Sequence, residues 1–439
     1  VIKKLLPQGK TTVFKAQLRI LPSVAFISAF LNNTPVVVIF APIIKHWAKS
    51  VKLPATKFLI PLSYVTILGG ICTLIGTSTN LVVHGMILEA GYEGFTMFEL
   101  GKVGIFIAIA GIIYLFIFSK RLLPDARPDT AVPDEEVEEG EKLHRVEAVL
   151  GARFPGINKK LSDFNFQRHY GAEVKEIKTR NGQRYVDHLE DVVLREGDTL
   201  VVMADDTFIP TWGESSVFVL LTNGNEPDTT GKKKRWFALL LLVLMIVGAT
   251  VGELPVTKEM FPDIKLDMFF FVSITTIIMA WTNLFPARKY TKYISWDILI
   301  TIACAFAISK AMVNSGVADS VAKFIIGLSD DYGPHVLLAM VFIITNLFTE
   351  LITNNAAAAL AFPLALSISA QLGVSPTPFF VVICMAASAS FSTPIGYQTN
   401  LIVQGIGNYK FTDFVRIGLP LNIITFLISI ILIPLIWNF

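Results

Sequence analysis

Apolar segments of membrane-crossing character alternate with short polar interruptions along most of this chain. One uncharged stretch, 351–409, is too long for a single membrane-spanning helix and is rich in Asn, Ser, Thr, Gly and Pro. Four shorter segments lack Asp, Glu, Lys and Arg and approach the length of one spanning helix, about 20 residues; they cover 103–118, 236–252, 268–287 and 417–439. The pattern predicts an α-helical polytopic membrane protein in which several helices are short or broken.

The polar interruptions form two similar pairs. They are LNNTP (31–35) with GTSTN (76–80), and TNNA (353–356) with GYQTN (396–400). The interval from Asn33 to Asn80 is 47 positions, and that from Asn354 to Asn400 is 46. An unpaired amide costs several kcal/mol in apolar surroundings, so amides placed there need partners. Their matched spacing predicts a site for an ion or solute between two repeats.

Each repeat is predicted to hold a re-entrant helical hairpin and a broken helix. Segments 18–31 and 36–47 lie too close together for two crossings with an exposed loop between them, so LNNTP is interpreted as a buried hairpin tip. TNNA has the same position in the second half. We call 31–35 the first tip and 353–356 the second tip. GTSTN and GYQTN then interrupt the helix that follows each hairpin.

Composition divides the chain into four regions. They are a first membrane repeat (1–123), an acidic linker (124–141), a soluble domain with its linker (142–231) and a second membrane repeat (232–439). The second repeat has three predicted spans ahead of its hairpin and the first has none. This difference between the two repeats predicts that N-terminal helices are missing from the sequence given.

The region from 142 to 222 has a soluble pattern. Strands are predicted at 144–150, 172–177 and 199–203, a helix at 161–170 and a hairpin turn at 180–183. This small α/β insert resembles the TrkA-C (RCK-C) domain, through Pro155-Gly156, Gly171 to Val174 and the closing segment 194–202. The resemblance implies a small regulatory ligand or a role in dimerisation. A spacer without a ligand is the alternative.

Composition supports the membrane assignment and excludes several classes of function. Hydrophobic residues make up 53% and charged residues 16%, against about 25% charged in ordinary soluble domains. The net charge of +2 and the absence of a basic cluster give no sign of nucleic-acid binding. Three isolated Cys and six scattered His residues predict neither a disulfide nor a metal site other than sodium. We expect no organic cofactor and no enzymatic activity.

Lysine and arginine placement predicts the orientation. Basic residues cluster beside the first hairpin (45–57), after the first repeat (120–121), before the second repeat (232–235) and at 288–292. By the positive-inside rule the first hairpin enters from the cytoplasm and the second from outside. The repeats are then inverted, the insert is cytoplasmic and the C-terminus lies outside.

The two membrane repeats resemble the divalent anion/sodium symporter family, particularly its branch with TrkA-C inserts. The tips correspond to that family's Ser-Asn-Thr motifs, Thr349-Glu350 matches its Thr-Glu pair, and Asn80 and Asn400 match the Asn at its helix breaks. The Thr-Pro-Pro-Asn motif that is usual at the helix breaks of that family is absent from this chain. The resemblance implies a homodimer that co-transports Na+ with sulfate or a di- or tricarboxylate by an elevator mechanism. The membrane is expected to be a bacterial inner (plasma) membrane.

Oxygen-rich neutral side chains suit this chemistry, because sodium prefers oxygen ligands and helix N-termini attract anions. The predicted sodium ligands are Asn32, Asn33, Gly76, Asn80, Thr353, Asn354, Gly396 and Asn400. The predicted anion-binding residues are Asn33, Thr34, Ser78, Thr79, Asn354, Asn355, Tyr397, Gln398 and Thr399. Polar packing between ordinary spans is the alternative interpretation.

Two other functions remain open. A sodium/proton antiporter or metalloid-anion permease would share the hairpins, but proton exchange calls for an acid at the broken helices, and 351–409 holds none. A channel gated by the insert is the other alternative. Glu350 and Lys310 are the most deeply placed charges of the second repeat, and we interpret both as structural.

Overall fold

The structure is a computed structural model that describes most of the chain. The described residues are 6–7, 11–125, 144–151, 154–179, 183–205, 208, 212, 217–222, 232–252, 254–261, 266–284, 294, 296–327 and 333–439. The acidic linker lies outside them, apart from Pro124 and Asp125. So do residues 180–182 of the predicted hairpin turn.

Within the described residues, the first membrane block contains five α-helices. They are α1 (Val13–Ser28), α2 (Asn33–Ser50), α3 (Leu59–Gly70), α4 (Ser78–Glu89) and α5 (Gly101–Leu122). The first tip separates α1 from α2, as the apolar pattern predicts. Residues 71–77 lie between α3 and α4, and we call them the first break. Every residue of α3 is buried, so this uninterrupted apolar helix forms the centre of the block.

The insert is a five-stranded antiparallel sheet with the order β3-β2-β4-β1-β5. Its elements are β1 (His144–Leu150), α6 (Phe166–Tyr170), β2 (Glu173–Lys178), β3 (Arg184–Tyr185), β4 (Thr199–Ala204) and β5 (Phe218–Thr222). The predicted strands are present, but the helix predicted from residue 161 begins only at Phe166. The described part of the insert therefore contains more strand and less helix than the predicted α/β domain. Its core is built on stacked and edge-on aromatic rings.

Among the described residues, ten helices follow the insert. The first five are α7 (Lys232–Gly252), α8 (Pro255–Met260), α9 (Met268–Trp281), α10 (Trp296–Asn314) and α11 (Val317–Gly327), and α10 and α11 meet at a bend of 71°. The next five are α12 (Gly333–Leu351), α13 (Asn354–Leu372), α14 (Thr377–Ser388), α15 (Gln398–Gly407) and α16 (Phe411–Ile436). The second tip separates α12 from α13. Residues 389–397 separate α14 from α15 and form the second break.

Several of these helices could cross a bilayer by length and composition. Among the described residues, α5, α12, α13 and α16 are long and apolar enough, and the bent pair of α10 and α11 makes a fifth span if counted as one. Helix α9 buries none of its residues within the chain, although it is almost wholly apolar. Apolar helices with outward-facing side chains are suited to lipid, and the protein is an integral membrane protein.

The insert packs directly against two membrane-block helices. A Cβ on Gly197 would lie 3.2 Å from the Leu401 side chain of α15, and one on Gly405 would lie 3.9 Å from Thr199 Cβ. On the other side, Lys45 of α2 pairs with Glu147 of β1 at 3.4 Å. The insert therefore contacts the membrane blocks through side chains as well as through its two chain connections.

Charge stabilises this contact. Burial alone would raise the pKa of Glu147, but the positive charges of Lys45 and Lys178 outweigh burial and hold the pKa below its ordinary value of 4.5. The stabilising ion pairs are therefore present above pH 4.5, and they are lost as the pH falls through the lowered pKa. At neutral pH the insert stays attached to α2.

Candidate functional site

Four helices begin at one polar cluster between the two membrane blocks. Helix α2 starts at the first tip, α4 at the first break, α13 at the second tip and α15 at the second break. Two contacts link them crosswise: Thr34 Oγ1 donates to Gln398 Oε1 at 3.3 Å, and Thr79 Oγ1 donates to Asn355 Oδ1 at 3.0 Å. Each tip therefore meets the break of the other half, and four positive helix ends share one region.

The two tips have the same internal hydrogen bond. Ser28 Oγ donates to Asn33 Oδ1 at 2.7 Å, and Thr349 Oγ1 donates to Asn354 Oδ1 at 2.9 Å. In both cases the hydroxyl precedes the amide by five residues. Each hydroxyl fixes the orientation of a buried amide whose oxygen keeps a second lone pair for another partner.

The Asn side chains of the two breaks bond in a similar way but differ at their amide oxygen. Asn80 Nδ2 donates to the Thr73 carbonyl at 2.9 Å, and Asn400 Nδ2 donates to the Thr393 carbonyl at 3.1 Å, in each case seven residues earlier. Asn400 Oδ1 accepts from Ser63 Oγ at 2.7 Å, whereas Asn80 Oδ1 is buried without a partner. The first break therefore keeps an unused oxygen ligand.

Gly70 lies in close contact with this oxygen-rich region. A Cβ at Gly70 would lie 2.6 Å from Asn33 Oδ1 and 3.1 Å from the Gly76 carbonyl oxygen, so a larger residue would displace these atoms. The equivalent position in the second half is Ser390, whose own hydroxyl donates to the Thr349 carbonyl at 3.2 Å. Because the first half has no such hydroxyl, Asn33 Oδ1 and the Gly76 carbonyl are its candidate oxygen ligands for a small cation.

Tyr397 lies at the centre of the cluster. Its hydroxyl accepts from Asn33 Nδ2 at 2.5 Å, is 3.1 Å from Thr77 Oγ1 and is approached by the Asn354 side chain. The position corresponds to Thr77 in the first half, so a ring stands where that half has a small side chain. Tyr397 joins both tips and reduces the space between them.

Most predicted site residues are brought together, although not all in the same way. Asn33, Asn80, Thr79, Asn354, Tyr397, Thr399 and Asn400 are buried within or beside the cluster. Gly76 and Gly396 are buried glycines at the breaks, with Thr34, Ser78, Asn355 and Gln398 at the helix starts. Asn32 is exposed, and exposed Thr353 caps α13 by accepting from the Ala356 N–H at 3.4 Å.

Five residues that shape the cluster were not among the predicted ligands, although Thr349 was noted as part of the Thr-Glu pair. They are Ser28, Ser63, Gly70, Thr349 and Ser390. Four of them are isolated hydroxyls in apolar helices or beside a break, and each needs a hydrogen-bond partner there. That signal was available in the sequence, but the identity of the partner was not.

Comparison with known proteins shows the family of this chain. The family described as citrate transporter matches residues 1–371 and 263–439, so the chain belongs to that family. The prediction of an anion/sodium symporter family is confirmed, since relatives include proteins named as sodium/sulfate cotransporters. The likeness of the insert to a TrkA-C domain stays a prediction.

Three relatives indicate how far the similarity extends. An uncharacterized transporter of Synechocystis is 29% identical, over 94% of this chain and 81% of the relative. An uncharacterized transporter of Escherichia coli is 25% identical, over 95% and 84%. Sodium/sulfate cotransporter 2 of Chlamydomonas reinhardtii is 31% identical, but over 64% of this chain and 31% of its own length.

Proposed function

We propose that this protein couples the movement of Na+ to the symport of a small divalent anion, with sulfate favoured over di- and tricarboxylates. The observation that carries the proposal is the crosswise bonding of tips and breaks, which gathers four helix N-termini at one neutral, oxygen-rich cluster. Helix N-termini attract anions through their N–H groups and dipoles, without needing Arg or Lys.

The size of the site supports a small anion. Tyr397 occupies the space between the tips, and its hydroxyl already contacts Asn33 and Thr77. A compact oxyanion needs less room there than a tricarboxylate. The names of the Chlamydomonas relatives, sodium/sulfate cotransporters, agree with this choice.

The proposed coupling runs through one amide. Na+ is proposed to bind at the first tip and first break, with Asn33 Oδ1, Asn80 Oδ1 and the Gly76 carbonyl as oxygen ligands. Asn33 Nδ2 points to Tyr397 on the anion side. Oδ1 and Nδ2 belong to one planar amide group. Sodium bound at Oδ1 therefore also fixes the orientation of Nδ2, which donates to the Tyr397 hydroxyl.

The mechanism we propose is a rigid elevator within a homodimer. Helices α1 to α4 and α12 to α15 hold the cluster and form the moving unit, while α7, α9 and α10 belong to the scaffold. The halves are proposed to be inverted, with the insert in the cytoplasm, the C-terminus outside and a bacterial plasma membrane around the protein. A small ligand on the insert would regulate the rate.

Uptake into proteoliposomes tests the function. We expect radiolabelled sulfate to accumulate when sodium is higher outside, more than succinate does, and not when choline replaces sodium. Liposomes without protein and liposomes with equal sodium on both sides are the controls. Accumulation driven by a proton gradient alone, with sodium irrelevant, would instead support proton exchange.

A further inference from the structure

Glu350 lies against the second break, although it belongs to the end of α12. Its Oε1 accepts hydrogen bonds from the Ser392 backbone N–H at 2.8 Å and from Asn422 Nδ2 at 2.7 Å. Asn422 Nδ2 also donates to Ser392 Oγ at 2.8 Å. These three residues, which we call the Glu350 cluster, join the second tip, the second break and α16.

Two buried oxygen atoms of the cluster, Glu350 Oε2 and Asn422 Oδ1, have no hydrogen bond of good geometry, although the N–H and hydroxyl of Thr393 lie close to the Glu350 carboxyl group. Among the residues that the structure describes, every ion pair lies elsewhere, so Glu350 has no cationic side chain beside it. An uncompensated buried charge is costly, and an ionisable residue inside a membrane segment is by default a functional one.

The first half builds an equivalent break without these polar groups. Gly104 of α5 and Gly418 of α16 each leave no room for a Cβ, because the carbonyls of Ile71 and Phe391 respectively stand in its place. That contact aligns the two halves. On this alignment Glu350, Ser392 and Asn422 correspond to Ala29, Cys72 and Ala108. A break can therefore fold without the polar groups of the Glu350 cluster. Their presence in the second half points to a role in binding an ion.

We propose that the Glu350 cluster binds a sodium ion, in addition to any sodium held at the tips. The proposal rests on the sodium coupling proposed above. Glu350 Oε2 and Asn422 Oδ1 are the ligands, since carboxylate and amide oxygens suit a hard cation. The ion neutralises the carboxylate. Because the cluster joins the break to α16, an occupied site stabilises that junction.

Direct binding of radioactive sodium to the purified full-length protein tests the proposal. Glu350→Gln keeps an acceptor for Ser392 and Asn422 but removes the charge. A triple variant, Glu350→Ala with Ser392→Cys and Asn422→Ala, copies the residues of the first half and should therefore fold. Thr425→Ala is the matched control, because this buried hydroxyl donates only within its own helix, to the Leu421 carbonyl.

We expect Glu350→Gln and the triple variant to bind fewer sodium ions at saturation. Their remaining sodium dependence of sulfate uptake should be less steep, with half-saturation at least about tenfold higher, the loss typical of weakening a metal site. Thr425→Ala should match the original protein. Unchanged sodium stoichiometry in both variants overturns the proposal, as does a change in pH dependence alone. Failure of the unsubstituted protein to take up sulfate with sodium would instead count against the proposed function.

Discussion

The hydroxyl of Tyr397 accepts a 2.5 Å hydrogen bond from the Asn33 side chain, although the two residues are 364 positions apart. The bond links the first tip to the second break. Tyr397 has Thr77 as its counterpart in the first half, so the two halves are unequal at the centre of the cluster.

This inequality predicts how Tyr397→Thr will behave. The smaller side chain copies the first half and keeps a hydroxyl, but it opens the space between the tips. We expect uptake of succinate relative to sulfate to rise about tenfold, equivalent to about 1.4 kcal/mol of selectivity. Competition between the two labelled anions in proteoliposomes measures the ratio. An unchanged ratio would place the anion away from Tyr397.

Asn33→Ala and Asn354→Ala should each abolish sodium-driven uptake while leaving the protein folded and inserted. Each change removes an amide oxygen that a hydroxyl holds in place, from Ser28 in the first half and Thr349 in the second. We expect apparent sodium affinity to fall about 10-fold to 100-fold. Size-exclusion chromatography checks folding. Normal sodium affinity and transport in both variants would defeat the assignment.

Gly70→Ser should weaken sodium binding at the first break. The new side chain would collide with Asn33 Oδ1 and the Gly76 carbonyl, which lie against Gly70, and would displace these proposed sodium ligands. We expect half-saturation by sodium to rise at least about tenfold. Gly85→Ala is the control, because a Cβ there meets only Phe306, at 3.8 Å. Equal effects of the two substitutions would indicate a general packing defect.

The insert should travel with α15. Thr199 Cβ lies 3.9 Å from the position of a Cβ on Gly405, within the range of about 3.5–4.5 Å that a disulfide needs. Thr199→Cys with Gly405→Cys, in a background without Cys72, Cys304 and Cys384, should therefore oxidise to a disulfide. We expect sulfate uptake to continue in the oxidised protein.

Deleting residues 142–222 provides the second test of the insert. With a flexible bridge in their place, sodium and anion binding should stay measurable while the rate of uptake changes. Arrest of transport by the disulfide would show that α15 must move relative to the insert, which contradicts their travelling together. Loss of anion binding in a folded deletion would make the insert part of the binding site.

The elevator predicts that α4 moves past α10. Gly85 of α4 lies beside Phe306 of α10, which places a moving helix against the scaffold. Gly85→Cys with Phe306→Cys should crosslink through a short thiol reagent in one state and stop transport reversibly. Trp47→Cys with Phe58→Cys, whose native rings are 5.4 Å apart inside the moving unit, should crosslink without stopping it. Spin-label distances between α4 and α10 that never change would rule the elevator out.

Much of the architecture was predictable, because backbone N–H and C=O groups in apolar surroundings must hydrogen-bond to each other, and an α-helix achieves this within one segment. The long uncharged segments predicted the helices, and the polar clusters at 31–35 and 353–356 predicted where α2 and α13 begin. Matched spacing between Asn33 and Asn80, and between Asn354 and Asn400, predicted that the polar clusters of the two repeats would share one site. These features depend on neighbours in the chain, so the sequence by itself determined them.

The tertiary structure decided which of these polar atoms remain available. Asn80 and Asn400 look alike in the sequence, yet Ser63 occupies the oxygen of only one of them. The uncharged stretch 351–409 suggested that the broken helix has no acid, but Glu350 reaches it from the preceding helix. Docking of the insert on Lys45 and Gly405 was equally hidden. Such contacts join residues far apart in the chain, and only the packing of the folded helices brings their atoms within bonding distance.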